Sequence, residues 1–148
     1  MQRALVVVLL LTAGCGGDSA PTAPPPPPNP LSLTVDKTTL GFEREWNFIT
    51  GEGRVTISGQ VRNGASSSLS GVRVVATVRT STLPAGTASG AVIPSTLAPN
   101  TSGSIAIVIS LNGTLWTDDT TRGINAFTIE PSSSLGGGTP LTGVIEWE

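Results

Sequence analysis

The chain has 148 residues, with ten acidic against eight basic side chains, a net charge of −2 and only 12% charged residues. That balance gives no electrostatic grip on nucleic acid or anionic lipid, and the length suits one domain once non-domain segments are set aside. A single cysteine excludes an internal disulfide and a cysteine-based zinc site, and the absence of histidine removes the commonest general base and metal ligand together.

Met1-Gln2-Arg3 opens the chain with one positive charge, and Ala4 to Thr12 (ALVVVLLLT) is an apolar run of nine residues. A bilayer-spanning helix needs about 20 such residues, so the run reads as the core of a secretory signal and not as a permanent span. It leads directly into Leu11-Thr12-Ala13-Gly14-Cys15, the site of the one cysteine. This stretch resembles the lipobox of bacterial lipoproteins, in which small residues precede a cysteine that is lipidated and becomes the mature N-terminus. The resemblance implies a diacylglycerol thioether on Cys15, usually with an acylated amine, and hence a membrane as partner through that lipid. It also gives the lone thiol a use, since a free one in an oxidising compartment risks unwanted pairing. Gly16 follows the cysteine where some Gram-negative lipoproteins carry an aspartate that retains them in the inner membrane, so the outer membrane is preferred. Ordinary secretion, with cleavage near Ala13-Gly14-Cys15 or Ser19-Ala20, is the alternative.

Residues 16–23 (GGDSAPTA) are small, and Pro24 to Pro30 (PPPPPNP) is almost entirely proline. Proline fixes φ and donates no backbone hydrogen bond, so the run predicts a polyproline II spacer that holds a domain about 30 Å from its anchor. The expected organisation is a signal peptide over 1–14, a lipidated cysteine and Pro-rich linker over 15–30, and one domain over 31–148.

In that domain apolar residues alternate with polar ones. Leu31, Leu33 and Val35 share a face. So do Val55, Ile57 and Val61, then Val72, Val74, Ala76 and Val78, then Ile105, Ile107, Ile109 and Leu111. Phe127 with Ile129, and Leu141 with Ile145 and Trp147, continue the pattern. Period-two alternation predicts sheets with one dry and one wet face. The intervening stretches NGASSSLSG, TSTLPAGTASG, LAPNTSG and PSSSLGGGTP are rich in turn formers and read as loops. Seven or eight short antiparallel strands with half-buried faces predict an all-β, immunoglobulin-like β-sandwich.

The run VTISGQVRNGASSSLSGVRVVATV, followed by STLAPNTSGSIAIVIS, looks like the extracytoplasmic immunoglobulin-like modules of the FxLYD and CARDB kind. The matching elements are Gly-x-Val-x-Asn at Gly59–Asn63, Val-x-Val at Val72–Val74, and the Leu-x-Pro-Asn turn at Leu97–Asn100. Such families imply an accessory or binding module on bacterial surface proteins, with no common catalytic residues.

Among the three tryptophans, Trp147 continues an apolar face and reads as core. Trp46, in FEREWNF, reads as core or edge cover. Trp116 follows a turn-like NGT and is the candidate for stacking on a sugar ring or a partner surface. Arg54, Arg62, Arg73 and Arg79 fall on the wet parity of two strands expected to be neighbours. They are expected to line one outer face, pairing with Glu43 or Glu45 or contacting an anionic glycan. Asp118 and Asp119, the one adjacent acidic pair, are the weak candidates for calcium, with a solvated acidic turn as the plainer reading. No other metal and no cofactor is indicated.

Catalysis is hard to build from this inventory. Without histidine only Lys37 could serve a hydroxyl nucleophile, and no Ser-x-x-Lys is present. The remaining enzymatic alternative is a small hydrolase using Glu130 and Glu146. The expected function is a lipid-anchored, non-catalytic module of the bacterial cell envelope that binds an envelope protein or glycan. The alternative is an assembly subunit that works through sheet-edge contacts.

Overall fold

Period-two burial organises the chain. From Ser102 to Leu111 every odd-numbered residue is buried and every even-numbered one exposed. The computed structural model describes residues 32–80, 86–111 and 117–147, apart from the side chains of Asp118 and Thr120. The signal-like start, Cys15, the proline run and Trp116 lie outside the described residues.

The elements are β1 (Leu33–Asn47), β2 (Glu52–Asn63), β3 (Arg73–Arg79), β4 (Gly86–Ala91) and β5 (Ser102–Leu111). They continue with α1 (Asp118–Arg122), β6 (Ala126–Ser133), β7 (Gly136–Gly137) and β8 (Leu141–Val144). One antiparallel sheet has the order β1-β2-β5. The other has the order β4-β3-β6, with β7 and β8 both on the far side of β6. The result is an immunoglobulin-like β-sandwich whose fourth strand pairs β3 instead of β5. Its core is the buried parity of both sheets, including Val55, Ile57, Val74, Ile107, Ile109 and Ile129, each contributing about 1.5–3 kcal/mol on burial.

Three features depart from the sequence reading. First, β2 and β3 are consecutive but lie in different sheets, because the loop between them carries the chain across the sandwich. Leu69 and Val72, both buried, anchor that crossing. Second, GTASGA forms β4, although it was expected to be part of a loop. Its small residues lack an apolar signature because they face large ones: a Cβ on Gly86 would lie 2.7 Å from Leu111, and one on Gly90 would lie 3.0 Å from Ile107. Third, β1 continues well past the Leu31–Val35 face. Its register slips between Asp36 and Gly41, and the strand resumes to Asn47. The slip is organised by Asp36, whose Oδ1 accepts from the Thr38 N–H at 3.0 Å and the Thr38 hydroxyl at 2.6 Å. Those hydrogen bonds, the side-chain one foremost, hold the Asp36 carboxyl below the usual range, with nearby Arg62 adding a smaller pull.

The two sheets are tied where the chain passes from β7 to β8. There the Gly138 N–H donates to Pro131 O and the Thr139 N–H donates across to Leu33 O, at 2.7 and 2.9 Å. Gly138 permits this approach, since a Cβ there would sit 2.6 Å from both Leu33 Cβ and Leu33 O.

Candidate functional site

β1 runs the length of its sheet from Leu33 to Asn47, so the turn that follows lies at the opposite end from the start of the domain. That turn, Phe48-Ile49-Thr50-Gly51, is closed by one residue. Asn47 Oδ1 accepts from the Ile49 N–H at 2.9 Å and from the Thr50 N–H at 3.2 Å. Asn47 O accepts from the Gly51 N–H at 2.8 Å, and Gly51 takes the left-handed conformation, φ 68°, that this closure requires. The Thr50 hydroxyl donates to Glu52 Oε2 at 3.2 Å. Three consecutive N–H groups bonded to Asn47 fix the backbone of this turn, and two of its side chains are large, apolar and outward: Phe48 is 79% exposed and Ile49 is 96% exposed.

Open grooves flank this tip. One, of about 760 Å³, is lined by Glu45, Trp46, Phe48, Glu52, Arg54 and Ser110 among others. A smaller one, of about 210 Å³, lies on the side of α1 and is lined by Arg44, Glu45, Trp46, Phe48, Thr121 and Arg122. Glu45, Trp46 and Phe48 belong to both. Trp46 is half-buried opposite Gly53, where a Cβ would be 3.2 Å from the indole. Behind the tip the charges are of both signs, with Arg54 Nη1 3.8 Å from Glu45 Oε2 in an exposed pair. Such a pair fixes little, about 0–1 kcal/mol.

The sequence-derived candidates fare differently. Trp147 packs against the core as expected, its indole N–H donating to Ile124 O and the Arg44 guanidinium 5.3 Å from its ring centroid. Phe42, on the same strand as Trp46, packs on Phe127 at 4.9 Å between ring centroids. The four arginines form no single face. Arg54 and Arg62 are exposed on β2, whereas Arg73 and Arg79 are exposed on β3 in the other sheet. The expectation of neighbouring strands fails because the β2–β3 connection crosses the sandwich, so a shared basic stripe is not formed. Glu45, not Glu43, is the carboxylate beside Arg54, because it is the residue directly opposite in register. Asp118 and Asp119 open the short helix α1, where a turn was expected, and Asp119 is exposed. Among the described residues no three His, Cys, Asp or Glu side chains gather to hold a metal ion. Glu130 lies midway along β6, while the Ile145 N–H bonded to Asn125 O sets Glu146 beside that strand's start. That is about 16 Å along the strand, beyond the roughly 5–9.5 Å over which paired carboxylates hydrolyse glycosides. Trp116 lies outside the described residues.

Sequence reasoning missed Phe48 and Ile49. The signal was present as two large apolar residues between Asn47 and Thr50-Gly51, a turn composition where apolar side chains have nothing to pack on.

No protein family matches the chain, and no curated protein does. Solved structures resemble it in part. The exo-chitosanase CsxA of Amycolatopsis orientalis aligns with a TM-score of 0.44 and 7% identity over 76% of this chain, which spans 12% of that enzyme. A Bordetella pertussis protein assigned as ApaA aligns at 0.43 and 13% identity, over 81% of this chain and 93% of that one. DesR, a β-glucosidase from Streptomyces venezuelae, aligns at 0.36 and 20% identity over 78% of this chain and 15% of its own.

Proposed function

We propose that the protein is a non-catalytic binding module of the bacterial cell envelope. In this reading it is held to a membrane, the outer one by preference, through lipid on Cys15 and the proline spacer, and it makes contact through the β1–β2 tip. The observation that carries the contact surface is the pair Phe48 and Ile49, 79% and 96% exposed on a turn whose last three N–H groups are bonded to Asn47. A folded domain does not gain stability by presenting two such side chains to water, whereas an exposed apolar patch flanked by polar groups is the usual mark of an interaction site. The chain enters the sandwich at Leu33, so a tether at the N-terminal side leaves the tip directed away from it. An envelope protein or glycan is the ligand class carried from the sequence.

The test is co-sedimentation with bacterial envelope fragments. The wild-type protein is expected to pellet, and Phe48→Ser/Ile49→Ser to stay in the supernatant with its folding unchanged; equal pelleting contradicts the reading. Conversion of Cys15 to serine is expected to release the native protein from the membrane fraction, and an unmodified sulfur at Cys15 by mass spectrometry would contradict the tether.

A second reading, an assembly subunit that shares a sheet edge, is favoured by β4. It is the outer strand of its sheet and carries no charge and no proline, which are the usual guards against pairing with another chain.

A further inference from the structure

We infer that the β1–β2 tip is a lipid-docking element that places Phe48 and Ile49 in the interfacial zone of a phospholipid bilayer. The inference rests on the tip being the contact surface and puts lipid there in place of the protein or glycan carried from the sequence. Three observations lead there. The first is hydrogen bonding: the Ile49, Thr50 and Gly51 N–H groups all end on Asn47, and the Thr50 hydroxyl ends on Glu52. A backbone entering a bilayer leaves no water to satisfy it, so a turn that has already paired these donors is the one that can be dehydrated. The second is charge. The four residues 48–51 carry none, while Glu45, Glu52 and Arg54 stand immediately behind them. That arrangement sets a shallow depth, with the side chains of the loop immersed and the charged ring left in the headgroups. Mixed signs in that ring favour no anionic lipid over a zwitterionic one.

The third is area. Two exposed side chains offer roughly 300–400 Å², below the about 800 Å² per partner of a standard protein interface. A second copy meeting this one tip to tip falls short of a stable dimer by the same margin. A fluid bilayer needs no complementary surface and closes around whatever is apolar.

The domain starting at Ser32, in which every core residue among the described ones falls between Leu33 and Trp147, tests this without the apolar N-terminal run. It is mixed with vesicles of phosphatidylcholine, with and without phosphatidylglycerol, and pelleted. Binding is expected to both compositions within about twofold and to persist at about 0.5 M salt, where charge attraction is screened. Phe48→Ser/Ile49→Ser is expected to weaken partitioning by at least about tenfold. Phe48→Trp/Ile49→Leu is expected to keep it, with tryptophan emission shifting to the blue on addition of vesicles. No binding by the parent domain overturns the inference, as does equal binding by the serine variant or binding that needs phosphatidylglycerol and vanishes in salt. A lipid-free dimer abolished by the serine variant also overturns it and assigns the tip to a second copy. If the serine variant loses envelope fragments while the parent ignores vesicles, the contact surface stands and the lipid assignment falls.

Discussion

Strand β2 is bracketed by two asparagines that do similar chemistry to opposite ends. Asn47 closes the tip with its side-chain oxygen and stays exposed. Asn63, at the other end, is fully buried. Its Oδ1 accepts from the Ala65 N–H at 2.9 Å, and its Nδ2 donates to Ser67 O, Leu97 O and Ala98 O at 2.9, 3.0 and 3.2 Å. Around Asn63 the neighbouring apolar side chains, Leu69 and Leu97, are buried and their backbones paired in both directions at 2.9 Å. Around Asn47 the neighbouring apolar side chains are in water. The same residue type thus stitches the sandwich shut at the Leu33 end and holds open an apolar tip at the far end. One end is built for folding, and the proposed function gives the other to contact.

The sharpest way to break that contrast is to remove the buried asparagine. Asn63→Ala takes the side-chain partner from the part-buried Ala65 N–H and Ser67 O, while Leu97 O keeps the Leu69 N–H and Ala98 O keeps Thr101, so it should cost about 1–3 kcal/mol in urea unfolding. A loss under about 0.5 kcal/mol would mean that the stitch contributes nothing. Gly138→Ala comes next: its Cβ meets Leu33 at 2.6 Å, and overpacking of this kind costs about 1–3 kcal/mol. The same unfolding curves should separate it from the tip.

At the tip the expected effects are smaller. Asn47→Ala should cost about 0.5–1.5 kcal/mol, because the turn donors it frees are reachable by water. Phe48→Ser/Ile49→Ser should lie within about 0.5 kcal/mol of the parent, as for exposed side chains that touch no core. A clear destabilisation there would mean that the tip is part of the fold after all.

Much of this contrast is legible in the sequence, and what is not has a physical reason. The alternation of Ile105, Ile107 and Ile109 gives the buried face of β5 directly, because one residue in two faces the core. Gly59–Asn63 and Leu97–Asn100 stand out as motifs, but that the side chain of Asn63 reaches Leu97 and Ala98 is a long-range contact that no local period encodes. β4 is hidden because packing against large neighbours selects small residues, which look like a loop. The arginine stripe fails for a topological reason. Consecutive strands pair more often than not, and here the chain crosses the sandwich instead. Phe48 and Ile49 look like core when counted as apolar residues, and only the turn around them puts them outside.

The smallest expected effect concerns the slip in β1. Hydrogen bonds from Thr38 lower the Asp36 carboxyl. A lowered folded-state value means that the extra stability is present above the ordinary aspartate range and fades as pH falls through the depressed value. The difference in urea midpoint between parent and Asp36→Asn should therefore be constant near neutral pH and close in strong acid. A difference that grows on acidification would reverse the sign and remove Asp36 from that role.

The division of labour between the two ends is tested most directly by amide hydrogen exchange, comparing the free protein with the protein bound to envelope fragments. Protection is predicted to rise at Phe48 to Gly51 on binding, with the amides around Asn63, Leu69 and Leu97 already slow and unchanged. New protection along Gly86–Ala91 with no change at the tip would contradict it and give the contact to the edge of the other sheet.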